Sequence, residues 1–207
     1  MRYWTPLQRI HQMNEYFSVV GEYRNFGFWL KFVQTFFDPE CTEDLTWLRI
    51  DVEGGELYEL PLMSLGRLLY LWALEGATQF RWQLDSVQEQ MLPGSLQLQC
   101  QLIWTVDYDG GLSIARQCGP CRFSFRNGSA ALMSEMEWRV REWGVFYSQR
   151  VAGLVSGGEE RMPFGFPKAV LEFLTMGSVT GEALMVKELG SLLINRQPII
   201  EEESVVQ

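Results

Sequence analysis

The chain has 207 residues, a net charge of −9 at pH 7, 47% hydrophobic and 21% charged residues. That length allows one domain, or one domain with a small appendage, and the balance is that of a folded globular chain. It excludes a collagen, a coiled coil, a disulfide miniprotein and a bundle of membrane spans. The acidity argues against a general binder of nucleic acid, whose affinity for phosphates comes from clustered Lys and Arg.

In chain order, residues 1–15 are polar with scattered aromatics and read as a short helix or a loose arm. Tyr16 to Val20 reads as a short strand. Asn25 opens a helix in which Phe26, Trp29, Leu30, Val33 and Phe37 recur at helical spacing, and Asp38-Pro39 stops it. Leu45–Ile50 and Leu57–Leu60 read as strands around a turn at Asp51–Gly55. Ser64 caps a helix, LGRLLYLWALEG, that is apolar on nearly every side and ends at Gly76, which predicts a central position.

Phe80, Trp82 and Leu84 then alternate with polar residues. After a turn at Pro93-Gly94, so do Leu96, Leu98, Cys100, Leu102, Trp104 and Val106. A period of two this long predicts antiparallel strands with one wet face. Asp107–Gly111 is a turn, and LSIARQ and RFSFRN read as a hairpin around Cys118-Gly119-Pro120-Cys121. Ala130 to Trp143 is predicted helical, with Leu132, Met136, Val140 and Trp143 on one face. Beyond Arg150 the chain is rich in Gly and Pro, then Pro167–Thr175 and Thr180–Ile194 read as helices before a frayed tail. The expected fold class is therefore α+β: an antiparallel sheet of four to six strands against two or three helices, with residues 1–150 as one domain and 151–207 as a loop and helical C-terminal extension packed on it. Phe80, Trp82, Leu84, Leu96, Leu98, Cys100, Leu102 and Trp104 should line the sheet side of the core, facing Leu65, Leu68, Leu69 and Trp72.

The sharpest chemical motif is Cys118-Gly119-Pro120-Cys121, the four residues of the thioredoxin redox centre. That chemistry needs the first thiol at a helix N-terminus, whereas Arg122–Arg126 alternates like a strand and Gln117 replaces the flanking tryptophan. A tight turn explains the same residues. A zinc site completed by Cys100 with Cys41 or His11 lacks the usual second close pair. His11 is the sole histidine, in a polar stretch with no nucleophile motif, and Asp107 with Asp109 reads as a solvated turn. No metal or cofactor is expected.

Charge is unevenly placed. Asp38–Glu59 holds eight carboxylates against Arg49 alone, and Arg116–Arg141 reverses the balance. An acidic and a basic face would suit head-to-tail association, and two solvated loops account for the pattern equally well. Met162-Pro163-Phe164-Gly165-Phe166-Pro167 sets two phenylalanines between prolines, as a docking peptide or as a lid over the core. No secretory leader is read at the N-terminus, and four cysteines without one suggest reduced thiols in the cytosol.

From about Tyr16 to Gly144 the order of elements resembles the globular domain of rhabdovirus matrix proteins. The resemblance is carried by FSVV before FGFWLKFVQTFF, by the apolar LGRLLYLWALEG, and by long amphipathic strands with an aspartate-rich turn after a tryptophan. It implies a non-enzymatic viral structural protein, in the virion under the envelope and in host cytoplasm, that links ribonucleoprotein to the inner membrane surface and aids budding. Its partners would be itself, the viral ribonucleoprotein and the membrane surface. On that reading Met162, Pro163, Phe164 and Phe166 form the self-association loop, and Arg116, Arg122 and Arg126 face phosphates or anionic lipid. A small adaptor protein and a thiol oxidoreductase using Cys118 and Cys121 are the alternatives.

Overall fold

The computed structural model describes residues 5–19, 21–38, 47–62, 64–108, 112–126, 131–147 and 163–180. The chain is α+β, as the sequence predicts. Helix α1 (Pro6–Phe17) opens with a capping box in which Thr5 and Gln8 satisfy each other's backbone N–H groups. It decides for the short helix over the loose arm within residues 1–15, and it corrects the expected strand that begins at Tyr16. Tyr16 and Phe17 complete the last turn, with Phe17 in the core and Ser18 at the C-cap. Helix α2 (Phe26–Phe36) is capped by Asn25, whose Oδ1 accepts from the Gly27 N–H. Helix α3 (Ser64–Leu74) is buried along most of its surface, as its composition demands.

The strands are β1 (Trp47–Val52), β2 (Leu57–Pro61), β3 (Ala77–Leu92), β4 (Ser95–Tyr108), β5 (Ser113–Arg126), β6 (Met133–Val140) and β7 (Glu142–Tyr147). They form one seven-stranded sheet in the order β2-β1-β6-β5-β4-β3, with β7 also on β5. The sheet is mixed: β1 runs parallel to β6, and the other pairs are antiparallel. Helix α4 (Lys168–Thr180) follows a short 3-10 turn at Pro163–Gly165. The expected helix at 180–194, the loop at 151–162 and the tail lie outside the described residues, apart from Thr180 at the end of α4.

Two elements differ from their sequence readings for one reason. The Cys118–Cys121 segment is no hairpin turn but the middle of β5, and Ala130–Trp143 is no helix but β6 and the start of β7. Strand β5 pairs with β6 from Phe125 to Cys121, then with β7 from Cys118 to Ser113. Between these ladders the β6–β7 segment carries one extra residue, a bulge at Arg139–Arg141. Pro120 faces that gap, so the N–H it lacks is missed by no ladder. Gly119 is needed there because a Cβ would overlap the Arg139 carbonyl oxygen. The Arg141 N–H donates to the Cys118 carbonyl at 2.9 Å and closes the junction. Gly-Pro, which suggests a turn, here marks the point where a strand changes partner.

The helices cover one face. Tryptophans form its centre, with ring centroids 4.9 Å apart for Trp72–Trp104 and 5.3 Å for Trp104–Trp138. Trp82 meets Trp104 edge-on at 5.5 Å and Phe17 at 5.3 Å. The expected core residues lie in this layer, Leu84 and Leu96 only partly buried near its rim. Gly119→Ala should cost more than about 3 kcal/mol, because the clash is with backbone and not with a side chain that can move. Urea unfolding monitored by tryptophan fluorescence checks it.

Candidate functional site: the uncovered face of the sheet

The other sheet face carries no helix among the described residues, and its polar residues line up across the strands. Register places Glu59 (β2) beside Arg49 (β1), Arg49 beside Glu137 (β6), Glu137 beside Arg122 (β5), Arg122 beside Gln99 (β4) and Gln99 beside Gln88 (β3). This one rung alternates in sign over four strands and ends in two amides. The ion pairs follow it: Arg49 Nε to Glu59 at 2.8 Å and Arg122 to Glu137 at 2.5 Å, with Glu135 3.9 Å from Arg122. Asp51 and Arg139 pair one step along at 2.5 Å. A shallow groove of about 500 Å³ runs along the row, lined by Asp51, Gln99, Gln101, Arg122, Glu137 and Arg139.

Opposite charges facing each other across a ladder stabilise a strand pair modestly, and exposed pairs are worth about 0–1 kcal/mol each. Such contacts are cheaply exchanged for intermolecular ones. Arginine suits this, since its planar fork takes carboxylates or carbonyls of a partner without reorganisation. The sequence reading counted Arg49, Asp51, Glu137 and Arg139 in its acidic and basic stretches but placed only Arg122 of this group in a candidate site. A signal was there: Glu135, Glu137 and Arg139 alternate with Met136, Trp138 and Val140.

Arg116, Arg122 and Arg126 share a strand, not the two arms of a hairpin. They do not converge on one anion. Arg122 is held by glutamates, and Arg126 pairs at 3.0 Å with Asp38, which is 3% exposed. Cys118 lies in β5 with partial exposure, while Cys121 is buried and directly opposite Cys100. The helix that thioredoxin chemistry needs after the second cysteine is a strand here. No cluster able to hold a metal occurs among the described residues, and Cys41 and Asp109 lie outside them. His11 is exposed on α1.

The aromatic loop lies against the protein's own core. Phe166 is fully buried and stacks on Trp72 at 5.3 Å, and Phe164 meets Trp143 at 5.9 Å. Gln117, buried on β5, donates from Nε2 to the Phe164 carbonyl at 3.1 Å. Phe164 has φ 57° and Gly165 φ 76°, the turn that swings Phe166 inward. Met162 is outside the described residues.

The model of the LIM-domain binding protein family matches residues 8–143, which run from α1 through the first residues of β7. The chain belongs to that family. No curated protein matches the sequence significantly. Solved structures of similar shape include the β subunit of benzoate 1,2-dioxygenase from Burkholderia mallei, at 8% identity and TM-score 0.46, covering 76% of this chain and 98% of that one. A putative dehydratase of the NTF2-like family from Streptomyces avermitilis is 12% identical, with TM-score 0.44 and 66% and 97% of the two chains covered. At TM-scores under 0.5 these likenesses assign no reaction.

Family membership overturns the matrix resemblance, and with it the viral structural function and the ribonucleoprotein partner. The family is named for binding another protein, and a protein partner is the part of the expected interactions that stands. The expectation of a non-enzymatic chain is corrected too. It followed from the matrix reading alone and loses its basis with it.

Burial pushes the Cys100 thiol up to about 12 and raises Cys121 well above its ordinary value, with Cys100 and Glu137 adding to the second effect. Burial and then Glu142 raise Cys118 as well. A raised folded-state value means that the unfolded chain ionises first, so this stability is intact below the ordinary thiol value of 9.0 and is lost as pH climbs toward 12. In a Cys41→Ser background, iodoacetamide should label Cys118 alone in the native protein below pH 9, with Cys100 and Cys121 reacting only after unfolding. Mass spectrometry of the labelled peptides checks this.

Proposed function

We propose that this protein is a protein-interaction module whose partners are LIM-domain proteins, and that they dock on the uncovered sheet face along the Glu59–Arg49–Glu137–Arg122 row. Membership of the LIM-domain binding family over residues 8–143 carries the reading. The geometry supports it in two ways. Arginine is enriched at protein interfaces relative to the rest of a protein surface, and Arg49 and Arg122 stand in the row on a rigid sheet. The row's ion pairs are already formed in the free protein, so binding would orient few new side chains.

The test is calorimetric titration of the full chain with isolated LIM domains from several proteins. Binding is expected, and Arg122→Glu/Arg139→Glu should weaken it more than tenfold without lowering the melting temperature by more than a few degrees. Unaltered affinity in the double variant moves the docking surface elsewhere. Failure to bind any LIM domain overturns the function.

A further inference from the structure

Strand β3 lies at the edge of the sheet, and the outward backbone groups of Trp82 are satisfied by a side chain. The Asn14 Nδ2 donates to the Trp82 carbonyl at 2.7 Å, and the Trp82 N–H donates to Asn14 Oδ1 at 2.8 Å. A side-chain amide thus stands in for a neighbouring strand. Three residues later the register slips by one, between Asp85 and Gln88, with Ser86 at φ 53°. Beyond the bulge Gln88, Gln90 and Leu92 face Gln99, Gln97 and Ser95, and the last pair closes the two-residue turn at Pro93-Gly94. The closing pair of such a turn exchanges ladder bonds, and the alternation carries this to Gln90 and Gln88. The N–H and C=O groups of Glu89 and Met91 therefore point away from β4, into the open edge.

Every residue from Asp85 to Met91 is exposed, Met91 to 76% and Val87 to 37%. Proteins usually blunt such an edge, since it templates pairing with another chain. Among the described residues, Asn14 blunts the half before the bulge and none covers the half beyond it. We propose that residues 87–91 accept an extended segment of a partner protein as a further antiparallel strand, with a basic residue opposite Glu89 and apolar residues opposite Val87 and Met91. The charge is specified by the surroundings. No Lys or Arg occurs between Arg81 and Arg116, while Asp85 and Glu89 flank the site. The Leu7 N–H, donating to Glu89 Oε1 at 3.2 Å, holds the carboxylate in place. A second copy paired two-fold about Glu89 would set two carboxylates face to face, which is unfavourable. This edge meets the Arg122 rung only at Gln88, and the proposal stands whether or not LIM domains bind along the charged part of that rung.

The probe is the capped heptapeptide Ser-Val-Thr-Arg-Thr-Val-Ser, added to the isotope-labelled full chain. Amide exchange of Glu89 and Met91 should slow by roughly tenfold, with Gln88 and Gln90 unaffected because they are already bonded to β4. The same peptide with Glu for Arg should bind at least about tenfold more weakly, and Glu89→Lys should reverse that preference. Methylation of the backbone nitrogen of the peptide's arginine should abolish the protection. Equal binding by the methylated peptide, or no protection at all, overturns strand addition. Protection that grows with protein concentration, without peptide, overturns the partner assignment in favour of a second copy.

Discussion

The sheet depends on a contact that no side chain makes. Strand β5 passes so close to the backbone at Arg139 that only glycine fits at position 119, and the next residue can be proline only because the ladder is interrupted there. That junction lets one long segment, Met133–Tyr147, pair with both halves of β5 while bending between them. The other edge of β6 receives β1 in parallel, and β2 follows by its short turn. These two strands carry Arg49, Glu59 and Asp51, half the length of the charged row on the open face.

The covered face answers a different demand. Aromatic side chains from α1, α2, α3, β3, β4, β5 and β6 meet in one continuous layer, each ring within about 6 Å of the next. Large flat rings fill the space between a curved sheet and crossing helices with few contacts each, and offset or edge-on pairs add about 0.5–1.5 kcal/mol beyond burial. Phe166 closes the layer beside Trp72, and α4 brings Val170, Phe173 and Leu174 under the same cover. The two faces thus divide the work: one holds the fold with aromatic packing, the other offers side chains whose pairings cost little to exchange.

Much of this was legible in the residues. The period of two from Phe80 to Val106 marked β3 and β4 and their buried faces, and the all-round apolar surface of Leu65–Leu74 marked a central helix. The errors came where a local signal had two physical meanings. Gly-Pro favours a turn, and it equally allows a strand to switch neighbours. Leu132, Met136, Val140 and Trp143 fit a helical face, while Met136, Trp138 and Val140 fit a strand. The choice between them rests on pairing with β5 on one side and with β1 on the other, where Met136 meets Leu48, and no window around residue 136 contains β1. The charged row was invisible for the same reason, since its members come from four strands in a register that only the folded sheet defines. The family resemblance failed because element order alone is shared by many unrelated chains.

The pairing of β1 with β6 sets a timetable for folding. Strands β3, β4 and β5 are joined by short connections and can zip up in succession, each closing a small loop. Asp51 and Arg139, in contrast, are 88 residues apart in the chain. Their meeting closes a loop through a mostly formed meander, and that loop entropy is spent late and repaid only when β1 docks. Until then the free side of β6, with Met136, Trp138 and Val140, is an unfinished edge. The interval before β1 arrives is the stage at which a crowded cell most threatens this chain, and at which a chaperone would find most to hold.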